Sequence, residues 1–361
     1  MSAEYDIVVV GAGPAGSTVA EHAALQGVSV LLLDKKKVIG VPVACGEFLP
    51  ETYEIKATFP RAPDLDELFE VPEDLILRQM GLFRMIAPSR RHWDVPFRGY
   101  TTDRDRFDQH LADKARKAGA EIRTSVRVEG VEGTEVITSD GRIKAKVVVG
   151  ADGPTSRVAS SLGFPKNRDS YPAVTGQAEG DFEPIMEMHF GSLAPGAYAW
   201  VLPKAQGANV GVGCAPRLSD GKVTEYYDIF LKQRDLTVKG RPVGKLVPSN
   251  GPIRRTASET ALLVGDAAGH VMAVNGGGVP IAMICGRLAG QAAAAHVRHG
   301  TPLKEYEREW RRQVAKPLHT ALNTKRLATL FLGGRRRLEW SMGVVGARRM
   351  GKMIRCRPVF P

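Results

Sequence analysis

Three short segments, far apart in the chain, set glycines and a carboxylate directly after a run of apolar residues. The first is Gly11-Ala12-Gly13-Pro14-Ala15-Gly16, behind Ile7-Val8-Val9-Val10. The second is Val148-Val149-Gly150-Ala151-Asp152-Gly153, and the third is Leu262-Leu263-Val264-Gly265-Asp266-Ala267. In the first, Gly11 permits a tight turn out of a strand, Gly13 lets the backbone approach a pyrophosphate, and Gly16 lets a helix pack closely on the sheet. The N–H groups of a helix starting at Pro14 then face the diphosphate, whose charge the helix dipole favours. Asp34, at the end of the next apolar run, can accept hydrogen bonds from a ribose diol or cap a loop. Asp152 and Asp266 each sit where a strand gives way to a helical segment, at the carboxyl edge of a sheet. There Asp266 suits a ribityl hydroxyl, and Gly265 allows close approach. Alone, either Asp could be a turn residue. The order and spacing of the three segments describe a chain that wraps one FAD molecule from three directions, hence a redox enzyme.

A fourth segment, Asn275-Gly276-Gly277-Gly278, opens a helix predicted over 279–296, with Pro280 in its first turn. Three glycines clear space for a flat ring, and the helix N-terminus favours negative charge on the pyrimidine edge of a reduced flavin. No second glycine fingerprint follows a strand. Gly343, Gly346 and Gly351 lie behind a polar helical segment and read as packing glycines, so a separate nicotinamide domain is not expected. The electron donor is external: NADH, NADPH or ferredoxin.

The elements that must position these residues are legible from periodicity. Tyr5–Val10 reads as a buried parallel strand, Pro14–Gln26 as a helix and Val28–Leu33 as a second strand, a βαβ unit. Residues 41–75 read as loop with short helix, Gly81–Phe97 shows strand-like alternation, and Asp103–Ala118 reads as an amphipathic helix with Phe107, Leu111 and Ala115 on one face. Glu121–Val128 and Val147–Gly150 return to strand. Short alternating runs at 185–190, 198–202 and 208–214 suit an antiparallel sheet. The chain then returns to the first domain at Ala261–Gly265. The predicted fold is α/β: a Rossmann-like FAD-binding domain (1–75, 101–165 and 252–300) with an inserted, mixed or antiparallel substrate domain of aromatic-hydroxylase type (76–100 and 166–251). A basic helical segment (301–361) closes the chain.

Composition narrows the function further. The 361 residues are 43% hydrophobic and carry a formal charge of +11, enough for a large core divided between two domains. Four widely spaced cysteines without a CxxC pair argue against iron–sulfur, zinc and disulfide frameworks, and for a reducing cytoplasm. No metal-ligand cluster or Ser/His/Asp constellation has convincing spacing, and neither a membrane-spanning run nor a signal peptide is expected. Residues 301–361 hold fifteen Lys and Arg against four Glu. The arginines of 335–337 and 348–357 sit among Leu, Phe, Trp and Met, a pattern suited to the surface of an anionic membrane. A solvated basic tail is the alternative; no motif supports nucleic-acid binding.

With these residues assembled, the chain resembles the geranylgeranyl reductase family, within the wider group of flavoproteins that holds aromatic-ring hydroxylases and flavin halogenases. Pro42-Val43-Ala44-Cys45-Gly46-Glu47 resembles that family's Cys-Gly loop beside the isoalloxazine. Asp103-Arg104-Asp105-Arg106-Phe107-Asp108 resembles its flavin-contacting helix start. Tyr198-Ala199-Trp200-Val201-Leu202-Pro203-Lys204 resembles its YxWxFP stretch along the lipid cavity, with Leu202 in place of the usual Phe. The resemblance implies saturation of double bonds in polyisoprenoid chains, archaeal-type geranylgeranyl ether lipids in particular; the basic C-terminal composition adds a cytoplasmic location, peripheral on the inner face of the membrane. The resemblance also implies flavin-binding roles for Ala15, Asp34, Cys45, Gly46, Arg104, Val128, Asp266, Gly278 and Val279, and a substrate wall at Tyr198, Trp200 and Pro203.

Hydride delivered to one carbon of an isolated alkene needs a proton at the other. Cys45 is the candidate donor, because an ordinary thiol is protonated at neutral pH; it could equally pack against the ring. Tyr198 and Trp200 face one side of a strand and serve as cavity wall or as core. His270 and His189 read as turn and strand histidines. A flavin monooxygenase or halogenase shares all three fingerprints, and a non-catalytic prenyl carrier could share the scaffold without needing a working flavin site.

Overall fold

A computed structural model describes residues 4–331 and 334–359. The first sheet is built around Glu4–Val10, whose inner residues Ile7, Val8 and Val9 are fully buried. Its strand order runs Glu121–Arg123, Val30–Leu33, Glu4–Val10, Gly141–Gly150, Glu135–Thr138, Val128–Glu132. Gly141–Gly150 is long enough to pair antiparallel with Glu135–Thr138 at one end and parallel with Ala261–Leu263 at the other. Continuous apolar runs on the central strands reflect cover on both faces. On one face the helix Pro14–Ala24 packs against Val279–His299. A Cβ at Gly286 or Gly290 would come within 2.7 Å of Ala15 O or 2.5 Å of Val19 O, so these glycines set how closely the two helices approach.

The second sheet has eight strands, in the order Val238–Pro248, Ser170–Ala178, Ala208–Gly213, Ala199–Pro203, Met186–His189, Ile76–Ile86, His92–Thr102, Phe48–Pro50. Among these pairings only Met186–His189 with Ile76–Ile86 is parallel. The helix Val223–Arg234 covers one face of this sheet through Tyr226, Tyr227 and Phe230.

Three readings of the sequence are refined by the structure. The strand-like alternation over Gly81–Phe97 spans two halves of a hairpin, broken where Arg90 takes a positive φ of 69°. The stretch predicted over 121–128 is likewise two strands, because Ser125 adopts φ 62° between them. Finally, residues 41–75 are not only loop and helix: Phe48–Pro50 forms the far edge of the second sheet. Alternation alone does not register a turn whose residues are themselves polar and apolar in sequence.

The C-terminal segment is more deeply built in than its charge suggests. In the helix Lys304–Thr329, Tyr306, Trp310, Val314, Leu318 and Ala321 form one wholly buried stripe. Tyr306 Oη donates to Leu263 O (3.0 Å) and Trp310 Nε1 to Thr256 Oγ1 (2.9 Å). The next helical stretch, Arg335–Ile354, is broken at Gly346 (φ 64°, ψ 168°), and its Leu338, Met342, Met350 and Ile354 pack on Met80, Phe83 and Val95 of the second sheet. Most apolar residues interleaved with the arginines therefore belong to the core.

Candidate active site

Register brings the three fingerprints together. Val10 pairs with Gly150, and Gly150 with Leu263, so parallel strands deliver Gly11, Ala151–Gly153 and Gly265–Asp266 to one sheet edge. Gly11 has φ +99°, and a Cβ there would lie 2.5 Å from Ala151 O. A Cβ on Gly16 would lie 1.8 Å from Gly11 O, whereas one on Gly13 meets nothing within 4 Å. Gly16 therefore serves packing, and Gly13 borders open space. Asp34 holds this loop: Oδ2 accepts from Ala12 N and Oδ1 from Lys36 N, both at 2.8 Å. The helix Val279–His299 begins after Gly278 with no side-chain cap, leaving its first N–H groups available to a ligand.

One cavity of about 1610 Å³ runs from this edge into the second sheet. Gly11, Gly13, Ala15, Asp34, Cys45, Gly46, Arg104, Val128, Asp152, Gly265, Asp266 and Gly276–Val279 line one part; Tyr198, Trp200 and Leu202 line another, with Leu338, Met342 and Ile354. Pro203 does not line it. That residue pairs with Ala208 at the strand end, and its carbonyl accepts from Thr101 Oγ1 at 2.7 Å. Asp152 borders the cavity, but its carboxylate accepts from Ser156 Oγ (2.5 Å) and Arg157 N (2.6 Å), the role of an ordinary turn residue.

Cys45 Sγ accepts from Arg104 Nη1 at 3.1 Å and from Glu47 N at 3.3 Å. Arg104 is itself buried and paired with Asp108 (2.7 Å). Burial is the largest single influence and works against its charge, but Asp108, Cys45 and Glu47 together outweigh it and hold the guanidinium above its ordinary range. Burial in turn pushes the Asp108 carboxyl up. Removing one partner of such a buried pair costs about 3–5 kcal/mol, so Arg104 is a fixed donor to the sulfur. Tyr198 Oη donates to Asn275 O (2.5 Å), which ties the aromatic wall to the Gly276–Gly278 loop. Burial pushes this phenol far above its usual range, so it stays protonated.

Other cavity residues escaped sequence reasoning. Glu47, 2% exposed and at φ 63°, accepts from Lys204 Nζ (3.1 Å), Gln177 Nε2 (2.6 Å) and Asn209 Nδ2 (2.8 Å). Asn209 also donates to Cys45 O (2.9 Å) and accepts from Trp200 Nε1 (2.8 Å) and Thr175 Oγ1 (2.9 Å). This network fastens the Cys45 loop to three strands of the second sheet. A lone Asn inside the apolar run Ala208–Gly213 was the one available signal. Lys245, on Val238–Pro248, lines the cavity and pairs with Asp266 at 2.9 Å. The Asp266 carboxylate, outweighing burial, holds its ammonium above the usual range. His270 is wholly buried among its neighbours, its ring tilted 59° to that of Trp310 with centroids 4.8 Å apart, and His189 pairs with Glu187 at 2.8 Å.

The residues present fit an FAD. Gly13 borders space that no protein atom fills within 4 Å, three strand ends converge on it, and Asp34 keeps carboxylate capacity at the ribose end. This fold and cradle define an FAD-dependent oxidoreductase of the Rossmann-like kind. Residues 9–62 match the NAD(P)-binding Rossmann-like domain and residues 173–247 the geranylgeranyl reductase catalytic domain. A digeranylgeranylglycerophospholipid reductase of Methanothermobacter thermautotrophicus is 34% identical over 90% of this chain and 87% of its own. That of Methanococcus aeolicus is 31% identical over 92% and 88%. Among solved structures, a geranylgeranyl bacteriochlorophyll reductase-like protein from Thermoplasma acidophilum superposes with a TM-score of 0.82 at 24% identity, over 95% of this chain and 96% of its own. A flavin-dependent brominase does so at 0.74 and 18%, over 98% and 92%. The chain belongs to the digeranylgeranylglycerophospholipid reductase family.

Proposed function

We propose that this protein is the FAD-dependent reductase that saturates C=C bonds of geranylgeranyl chains in isoprenoid ether lipids. The carrying observation is the continuity of the cavity, in which a nucleotide cradle and an aromatic, methionine-rich wall share one space. FAD, when bound and reduced, supplies a hydride to one alkene carbon. The chain does the rest. Trp200 and Leu202, alternate residues of the strand Ala199–Pro203, and Tyr198 just before it hold the isoprenoid and exclude water. Cys45 delivers the proton to the second carbon, its sulfur fixed by Arg104 and by the Glu47–Asn209 network. Gly13, Asp34, Gly265, Asp266 and Gly276–Val279 hold the cofactor.

The second part of the reading is a peripheral membrane site. No helix among the described residues is long and apolar enough to cross a membrane. Leu327, Trp340 and Val344 are exposed yet line the cavity, and the arginines of 335–337 flank this rim. An anionic bilayer surface matches both its greasy edge and its charge.

The test is anaerobic. Protein reduced with dithionite should recover the absorbance of oxidised flavin when geranylgeranyl lipid is added. The fully saturated lipid should leave it bleached. Equal behaviour with both lipids contradicts the proposal.

A further inference from the structure

Val243, Lys245 and Val247, alternate residues of one strand, line the cavity. The Lys245 side chain is 42% exposed, and its ammonium has a carboxylate partner. That partner is Asp266, reached from the other sheet: Lys245 belongs to the second sheet, and Asp266 follows the last strand of the first. The ion pair therefore spans the compartment that the three fingerprints surround. Arg104, another cation lining the cavity, pairs with Asp108 and donates to Cys45. Asp266 is also the carboxylate whose fingerprint assigns it to a ribityl hydroxyl. Lys245 faces Asp266 Oδ2, which leaves Oδ1 for a hydroxyl, and the ammonium has three N–H donors, so some remain for negative charge that develops beside it.

We propose that Lys245 is a redox-tuning residue, whose ammonium stabilises the electron-rich form of the bound flavin more than the oxidised form. The physical basis is Coulombic: a fixed cation in a partly water-excluded site interacts with added negative charge more strongly than it would in bulk water. Only the state carrying the added electrons gains this term, so the effect is differential. Lys245 thereby favours loading of the flavin by its donor, while Cys45 and the aromatic wall deal with the alkene. The proposal rests on the FAD reading, but not on the identity of the lipid.

The experiment is spectroelectrochemical titration of FAD-loaded protein without lipid, for wild type, Lys245→Met, Lys245→Arg and Asp266→Asn. Lys245→Met should weaken the preference for the reduced form at least tenfold, a midpoint potential lower by about 30 mV for a two-electron couple. Lys245→Arg should stay within twofold of wild type. Asp266→Asn, which frees the cation from its counter-charge, should shift the opposite way if it retains FAD. If it does not, the two lysine variants decide. An unchanged potential in Lys245→Met overturns the proposal. So does loss of FAD from Lys245→Met with an unchanged circular dichroism spectrum, which would make the ion pair necessary to binding in either redox state. A wild-type protein that reduces no geranylgeranyl lipid, yet shows the Lys245 shift, would refute the substrate assignment and leave this inference standing.

Discussion

Cys45 is the residue to which the proposed reaction assigns the proton, and its surroundings make separable demands. Cys45→Ser should slow lipid reduction while retaining FAD, since a hydroxyl keeps the size and changes the acidity; an unchanged single-turnover rate would remove Cys45 from proton delivery. Asn209 is the wholly buried hub behind it, with both amide hydrogens and the carbonyl oxygen in use. Asn209→Ala leaves Glu47, Trp200 and the Cys45 carbonyl short of partners, and each unsatisfied buried group costs about 1–3 kcal/mol. The expected outcome is a stability loss of about 3 kcal/mol by denaturant titration, accompanied by weaker FAD retention. His270 makes a prediction about pH. Burial lowers its pKa to about 3, and that of His22 to about 4. Both stay neutral in the folded protein, while the unfolded chain takes up protons below about pH 6.5. Stability should therefore fall as pH drops from about 6.5 towards 4, by up to about 1.4 kcal/mol per unit for each. His270→Phe should flatten that slope; an unaltered slope would contradict the assignment.

Among elements, the first strand–turn–helix separates packing from binding within six residues. Gly16→Ala drives a methyl into Gly11 O, so it should displace the helix and lower the melting temperature together with FAD affinity. Gly13→Ala meets no protein atom, so it should leave melting of the FAD-free protein unchanged and weaken only FAD binding. Equal losses in both properties for Gly13→Ala would show that it packs rather than borders a ligand. This turn was legible from sequence because every part of it lies within 30 residues and follows a local rule. The same holds for the Asp266 turn and for the start of the Val279–His299 helix. The Glu47–Asn209 bond and the Lys245–Asp266 pair were not legible. Glu47 and Asn209 are 162 positions apart, and only the register of the second sheet makes them neighbours. Pro203 shows the converse error. Its motif implied a cavity residue, but the strand's alternation faces Trp200 and Leu202 inward and leaves Pro203 out.

At the scale of the whole molecule, two sheets share one cavity, and the C-terminal helices complete its wall while turning arginines outward. Trp340 is 63% exposed, whereas Trp200 and Trp310 are buried and Trp93 is half-buried. Vesicles containing phosphatidylglycerol with brominated tails should therefore quench Trp340 emission, and neutral vesicles should do so weakly. Trp340→Phe should abolish the quenching, and raised salt should weaken it. Quenching indifferent to lipid charge would contradict the proposed surface. The central claim is that a reduced flavin and an isoprenoid chain meet inside this one cavity. Its most direct test is an anaerobic incubation of dithionite-reduced protein with geranylgeranyl ether lipid, followed by mass spectrometry of the lipid. The account predicts mass gains of two hydrogens for each double bond saturated, with oxidised flavin formed in step. A lipid of unchanged mass beside a flavin that remains reduced would contradict it.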